Sequence, residues 1–353
     1  MQEIDPSKPI LVTGGSGYLA SWIVKLLLEK GLQVHTTVRD SSGRDNYLPL
    51  EQLSMENPGR LKIFEADLLL PNSFMPAMRE CELVIHTASP FIAGKVGNAK
   101  KEIIQPALQG TRNVLFSATD SGRVKRVVLT SSIVAMAGNA RDIRQAGGII
   151  NEKCWNHSST AAGQPYSFSK TIAEREAWRL QRQQAKWDLV VINPGFILGP
   201  SLSRRTDPTS IKIMKLLLTG AFRAGVPKGA QAVVDVRDVA KAHLQAGMIP
   251  HAGGRHLATG HLIDFLKLAA IIRDRYPRYP LPCRFLPLWL IKLGAPLSGL
   301  SAGFIEQNTG FDFTFDNRFI REDLQLSFRP IEQTIIDHVN QLANDHLVKD
   351  KRD

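Results

Sequence analysis

The stretch that most constrains this chain begins at Ile10. A short apolar run, Ile10-Leu11-Val12, passes through Thr13-Gly14-Gly15-Ser16-Gly17 into a segment with Trp22, Ile23, Leu26 and Leu27 at helical spacing, closed by Gly31. Strand, glycine turn and helix together form the context in which a glycine motif acquires a ligand. Gly14 and Gly17 let the backbone turn and approach a pyrophosphate, whose charge a helix N-terminus stabilises. Ser16, Tyr18 and Leu19 share that turn and helix start and join the expected cofactor contacts. Ala20 is small enough for helix and strand to pack closely. In isolation the same turn also serves an ordinary α/β crossover without a ligand, so the downstream residues decide its meaning.

Those residues repeat one arrangement. Apolar runs at Leu32 to Val38, Leu61 to Phe64, Leu83 to His86 and Arg126 to Leu129 alternate with helical patterns, the longest being Ile103 to Ala118. This predicts right-handed βαβ units in a parallel sheet, with ligands beyond the carboxyl ends of the strands. The second strand ends at Arg39-Asp40. An arginine there accommodates the extra phosphate of NADP, whereas an acid grips the ribose of NAD. Arg39 comes first, with Arg44 nearby, so NADP(H) is favoured; Asp40 would serve NAD(H) if the strand ran one residue further. After the third strand, Asp67 either contacts an adenine, with Leu68 offering a backbone group, or caps the segment from Pro71. Small residues around Ala88 suit a cofactor passing overhead. The fifth strand runs into Thr130-Ser131-Ser132.

Tyr166-Ser-Phe-Ser-Lys170 opens a helix continuing through Ala173, Glu174, Ala177 and Trp178, and residues four apart share a helix face. A phenol titrates near ~10, and acid–base work near neutrality asks for about three units less, roughly 4 kcal/mol. An adjacent ammonium supplies part of that, and an oxidised nicotinamide ring can supply more. Ser132 would polarise a substrate carbonyl beside the tyrosine. The order matters: glycine turn, strand-end serine, then Tyr and Lys.

Those pieces resemble the extended short-chain dehydrogenase/reductases, in the branch of dihydroflavonol reductases, cinnamoyl-CoA reductases and yeast-type aldehyde/ketone reductases. The matching segments are Thr13-Gly-Gly-Ser-Gly-Tyr-Leu-Ala20, Val38-Arg39, His86-Thr-Ala-Ser-Pro-Phe91, Thr130-Ser-Ser132 and Asn151-Glu-Lys-Cys-Trp155. They continue with Tyr166-x-x-Ser-Lys170, Asn193-Pro-Gly-Phe-Ile-Leu-Gly-Pro200 and Asp235-Val-Arg-Asp-Val-Ala-x-Ala-His243. The resemblance implies Tyr166 as proton donor, Lys170 as its partner and a ribose ligand, Ser132 as the carbonyl-orienting group, Pro194 and Gly195 beside the nicotinamide, and Arg39 as the NADP-reading arginine. It departs from the pattern at Ile133-Val-Ala-Met136, which replaces small residues and is expected to narrow or grease the pocket. His157 and His243 are read as structural.

The implied fold is α/β, a Rossmann-type doubly wound parallel sheet with a smaller C-terminal substrate lobe. Residues 1–199 and about 231–260 would form the NADP-binding part, about 200–230 and 261–346 the lobe, and 347–353 a charged tail. In the lobe, Ser210 is expected to cap a helix Ile211 to Leu218. Val233 to Val236 reads as a strand, Asp238 as the start of a helix, and Leu262 to Tyr276 and Ile331 to Asn344 as helices. Phe91, Ile133 and the segment Phe285 to Leu300 suggest an apolar lining.

Composition narrows the partners. The chain has 353 residues, 43% of them hydrophobic, and a net charge of +11. The basic residues are dispersed, which suits a solvated surface better than a nucleic-acid stripe. Cys81, Cys154 and Cys283 match no metal or redox spacing. The first residues have no signal-peptide core, and Lys292 and Pro296 interrupt the most apolar late stretch. The expectation is a cytoplasmic monomer or homodimer without bound metal, acting on a small apolar carbonyl or alcohol. The activity expected is NADPH-dependent reduction of an aldehyde or ketone. The rival readings are a nucleotide-sugar epimerase or dehydratase, a hydroxysteroid-type dehydrogenase, and a non-catalytic NADP-sensing binder.

Overall fold

The computed structural model describes residues 3–39, 44–89, 98–287, 289–290 and 313–352. Its strands are β1 (Ile10–Thr13), β2 (Val34–Val38), β3 (Leu61–Glu65), β4 (Leu83–His86), β5 (Arg126–Thr130) and β6 (Ile149–Ile150). They continue as β7 (Asp188–Pro194), β8 (Phe196–Leu198), β9 (Ala230–Asp235), β10 (Gly254–Ala258), β11 (His261–Asp264) and β12 (Thr314–Phe315). The helices that matter here are α1 (Tyr18–Glu29), α2 (Arg44–Glu56), α3 (Met75–Met78), α4 (Gln105–Ser121), α5 (Ala140–Gln145) and α6 (Pro165–Gln181). After them come α7 (Thr209–Thr219), α8 (Val236–Met248), α9 (Phe265–Arg275), α10 (Arg318–Asp323) and α11 (Ile331–Asn344).

Seven strands pair in the order β10-β7-β5-β4-β1-β2-β3, every neighbour parallel. Side chains alternate across each strand, so the apolar runs feed two cores. Ile10, Val12, Ile85 and Val128 pack with Ile23, Val24 and Leu27 of α1 and Val239, Ala242 and Ala246 of α8. Leu11, Val84, Val127 and Val191 pack on the opposite face, with Val114, Leu115 and Ala118 of α4 and Ala177 and Leu180 of α6. The sheet is therefore doubly wound. Its strand order reverses between β1 and β4, where such folds open a ligand crevice.

A three-stranded sheet, β11-β9-β8, follows directly from β7 through Gly195. Leu198 and Val233 of this sheet join Ile211, Met214 and Leu217 of α7, Leu268 and Ile272 of α9, and Ile335 and Val339 of α11 in a separate core. Helix α1 reaches it as well. The Tyr18 hydroxyl donates to Gly199 O at 2.6 Å, and Trp22 Nε1 to Pro200 O at 2.7 Å.

Four expectations about this region are corrected. Ser210 is buried inside α7, and Pro208 holds the N-cap position. Asp235 caps α8 by accepting from Arg237 N, because the strand ends one residue before Val236. Asp238 instead lies buried in the first turn of α8 and accepts from Arg329. Leu262 to Asp264 is strand β11, paired antiparallel to β9; sheet pairing overrides the helical spacing there, and the helix starts at Phe265, capped by Asp264. Phe91, Asp40 and most of the stretch Phe285 to Leu300 lie outside the described residues. Among the described residues no helix is long and apolar enough to cross a membrane, and no cluster of His, Cys, Asp or Glu could hold a metal ion.

Candidate active site

The glycine turn sits at the reversal of strand order. Gly14 has φ +73°, and an added Cβ would lie 3.1 Å from the Cβ of Ala88. At Gly15 a Cβ would come within 2.1 Å of Thr36 Oγ1. Gly17 takes the N-cap position of α1, which has no side-chain cap and no acidic residue in its first turn. Ser16, Tyr18 and Leu19 therefore border an open, positively polarised helix end above a cradle that side chains would fill. Such a site fits a dinucleotide pyrophosphate.

The far wall of the cradle is held by a buried hydrogen-bond cluster. Thr13 Oγ1 accepts from the N–H groups of Thr87 and Ala88 at 3.2 and 3.1 Å. Its own proton is then left for His86 Nδ1, 2.8 Å away. His86 stays neutral: burial, with Lys170 nearby, pushes its pKa down to about 3. Ala88 is thereby fixed over Gly14.

Arg39 is the first residue beyond β2, exposed at the strand's carboxyl edge. The adenine-side candidates are tied into local structure. Asp67 Oδ1 accepts from Leu69 N at 2.7 Å, and Leu68 O accepts from Asn113 Nδ2 at 2.8 Å. Asp67 thus closes a turn with its own backbone instead of capping from Pro71.

Tyr166 and Lys170 begin α6, one turn apart. Lys170 Nζ lies 3.4 Å from Ser89 Oγ. Burial lowers the ammonium's pKa to about 8, opposed by the Glu174 carboxylate one turn further on. The phenol of Tyr166 is pushed up by desolvation, although the side chain as a whole is 55% exposed. The expected lowering, by Lys170 together with an oxidised nicotinamide ring, belongs to the cofactor complex; in the protein alone the shift runs upward. Desolvation is the cause of that shift, and Lys170 Nζ has Ser89 Oγ as its neighbour. A small cleft of about 20 Å³, room for roughly one water, lies among His86, Ser89, Thr130, Ser131, Lys170 and Glu174.

The two serines after β5 diverge. Ser131 Oγ donates to Glu174 Oε2 at 2.5 Å. Ser132 starts a short 3-10 turn, its Oγ accepting from Val134 N at 3.3 Å. In the run expected to narrow or grease the pocket, Ala135 and Met136 are fully buried, and Ile133 and Val134 stay partly open. Pro194 ends β7. A Cβ on Gly195 would meet Ala232 O at 2.4 Å and Thr259 Oγ1 at 2.8 Å. Gly195→Ala is therefore expected to lower stability by about 1–3 kcal/mol through overpacking against backbone. Denaturant unfolding checks this, and an unchanged midpoint would refute the close approach.

Residues to which the sequence assigned no role hold these pieces together. Glu174, fully buried, accepts from Ser131 Oγ, from Asn193 Nδ2 at 2.7 Å and from Arg255 Nε at 2.5 Å. Asn193 also reaches Ser132 O at 3.2 Å. One carboxylate thus ties α6 to the carboxyl ends of β5 and β7 and to the start of β10. Its signal in the sequence is spacing, since Tyr166, Lys170 and Glu174 recur every four residues. Arg255 further donates to the carbonyls of Glu152 and Cys154 and lies 3.9 Å over the Trp155 ring. His243 is structural as expected, bridging Thr130 Oγ1 and Val239 O. His157 Nδ1 meets Arg175 at 3.2 Å.

Comparison with known proteins agrees with this geometry. Residues 10–257 match the model of the NAD dependent epimerase/dehydratase family. The chain is 38% identical over 275 residues to cinnamoyl-CoA reductase CAD2 of Medicago truncatula, covering 77% of this chain and 82% of that protein. It is 36% identical over 290 residues to a (2S)-flavan-3-ol-forming anthocyanidin reductase of Vitis vinifera, covering 79% and 84%. Among solved structures, Gre2 from Candida albicans in complex with NADPH superposes with a TM-score of 0.80 at 29% identity, covering 96% of this chain and 99% of that one.

Proposed function

The chain belongs to the NAD dependent epimerase/dehydratase family, and from that premise we propose that it reduces an aldehyde or ketone to the alcohol with NADPH, using Tyr166 as proton donor. Its reductase relatives and the NADPH complex of Gre2 support the chemistry and the cofactor. The observation that carries the residue assignment is the pairing of Tyr166 and Lys170 on α6, braced by Glu174 against the strand ends that bear Ser132 and Gly195.

NADPH, when bound, supplies the hydride. The chain does the rest. The uncapped start of α1 and the glycine cradle receive the pyrophosphate. Arg39, beyond β2, faces the end of the crevice where a 2′-phosphate is read. Lys170 keeps a positive charge below about pH 8 and is available to a ribose hydroxyl. Ser132 orients the carbonyl oxygen while Tyr166 donates its proton to the forming alkoxide. Desolvation, by holding the phenol protonated, suits the reductive direction. A small carbonyl compound with an apolar body is the proposed substrate. The three cysteines are unpaired, which supports operation in a reducing compartment such as the cytoplasm.

A panel of aliphatic and aromatic carbonyls, assayed with NADPH and with NADH, tests this reading. Turnover with NADPH is expected for some members, and none with any member would overturn it. Arg39→Ala is expected to raise KM for NADPH about tenfold or more, the loss of one charge-assisted phosphate contact, with KM for NADH nearly unchanged. Equal effects on both would move phosphate recognition to another residue.

A further inference from the structure

Helix α6 presents a second face, away from Tyr166 and Lys170. There a groove of about 710 Å³ runs between α4, α6 and the segment around Trp155. Its walls carry five guanidinium groups, from Arg112, Arg175, Arg179, Arg182 and Arg255, and a single carboxylate, Glu176. That carboxylate is already shared: Arg112 reaches it at 2.7 Å and Arg179 at 2.7 Å, and these bonds hold its pKa at about 2. Counting the Glu174 carboxylate behind Arg255, the groove keeps an excess of three positive charges, five against two.

Three of those charges have unmet bonding capacity. The exposed Arg182 guanidinium has no hydrogen bond or ion pair with the described residues, and Arg175 hydrogen-bonds only neutral acceptors, Asn156 O and His157 Nδ1, and lies 5.2 Å over the Trp155 ring. Arg255 is 8% exposed, and its Nη2 is buried without a partner among the described residues. Arg175, Arg179 and Arg182 fall three and four residues apart, so they line one stripe of the helix. The remaining walls are apolar or aromatic: Leu108, Ile172, Trp155 and Trp178.

We propose that this groove binds an organic polyphosphate, its phosphates on the α6 arginine stripe and a planar or apolar moiety against the tryptophan wall. The volume lies within the range of small-molecule sites. Planar guanidinium forks match phosphate oxygens two at a time. A second copy of the chain is a poor occupant, because two-fold docking would set the basic groove against itself. The groove is separate from the cofactor crevice at the β1–β4 reversal, and α6 is the element between them. An occupant would therefore brace the helix that carries Tyr166 and Lys170.

Isothermal titration calorimetry with ATP and with sodium triphosphate, on protein saturated with NADPH to block the crevice, is the test. Both probes are expected to bind, ATP more tightly. Arg182→Glu is expected to weaken both at least tenfold, and Arg175→Glu/Arg182→Glu to abolish binding, while carbonyl reduction without the probes stays at the wild-type rate. No binding heat at millimolar probe, or unchanged affinity in Arg182→Glu, would overturn the proposal. So would a dimer seen in sedimentation that Arg182→Glu dissociates, since the face would then be an interface between copies. Arg182 makes no bond to the described residues, so its replacement leaves the fold intact.

Discussion

Tyr166→Phe is expected to lower kcat for carbonyl reduction by about 10²–10⁴-fold, the usual contribution of a positioned general acid. The substitution removes only the hydroxyl from a ring that is 55% exposed, so the fold and NADPH affinity should stay near wild type. Stopped-flow reduction and NADPH fluorescence titration separate the two effects. Activity within tenfold of wild type would refute the assignment. The pH profile carries an independent sign. The phenol is pushed up and remains protonated through neutrality, whereas Lys170 loses its proton as pH rises through about 8. Reduction should therefore decline on the alkaline side near 8. A decline only beyond 10 would assign that limb to the phenol.

Glu174→Ala is the change expected to cost most in stability. It leaves the Arg255 guanidinium, 8% exposed, without its carboxylate and strands Ser131 and Asn193. Removing one partner of a buried pair costs about 3–5 kcal/mol. With an unfolding entropy of about 2 cal/mol/K per residue over 353 residues, the Tm should fall by about 4–7 °C. Activity should fall as well, because α6 loses its tie to the strand ends that carry Ser132 and Gly195. Glu174→Gln, keeping the acceptor oxygen without the charge, should be intermediate. Glu174→Ala/Arg255→Leu should be more stable than Glu174→Ala, since no unpaired buried charge remains. A loss under about 1 kcal/mol in Glu174→Ala would show that Arg255 is held by the carbonyls of Glu152 and Cys154 alone.

Much of this was legible from local order in the chain. A glycine turn between an apolar run and a helical pattern, an arginine just past the next strand, a serine pair after the fifth strand and Tyr-x-x-x-Lys on a helix each depend on backbone geometry within a few residues. Such geometry is written in composition and spacing. The parallel sheet followed from strand–helix alternation by the same logic. Local spacing misled where pairing across the sheet decided the outcome, as at Leu262 to Asp264, which β9 draws into a strand.

What tertiary structure alone decided is the support and the protonation of the site. Glu174 meets Arg255 across 81 residues, and Thr13 meets His86 across 73; no local pattern encodes such contacts. The direction of the Tyr166 shift also waited on the fold. Helical spacing places the ammonium beside the phenol, but the water removed from the hydroxyl depends on everything packed around it. Desolvation is what raises the phenol, and it is set by residues far apart in the chain.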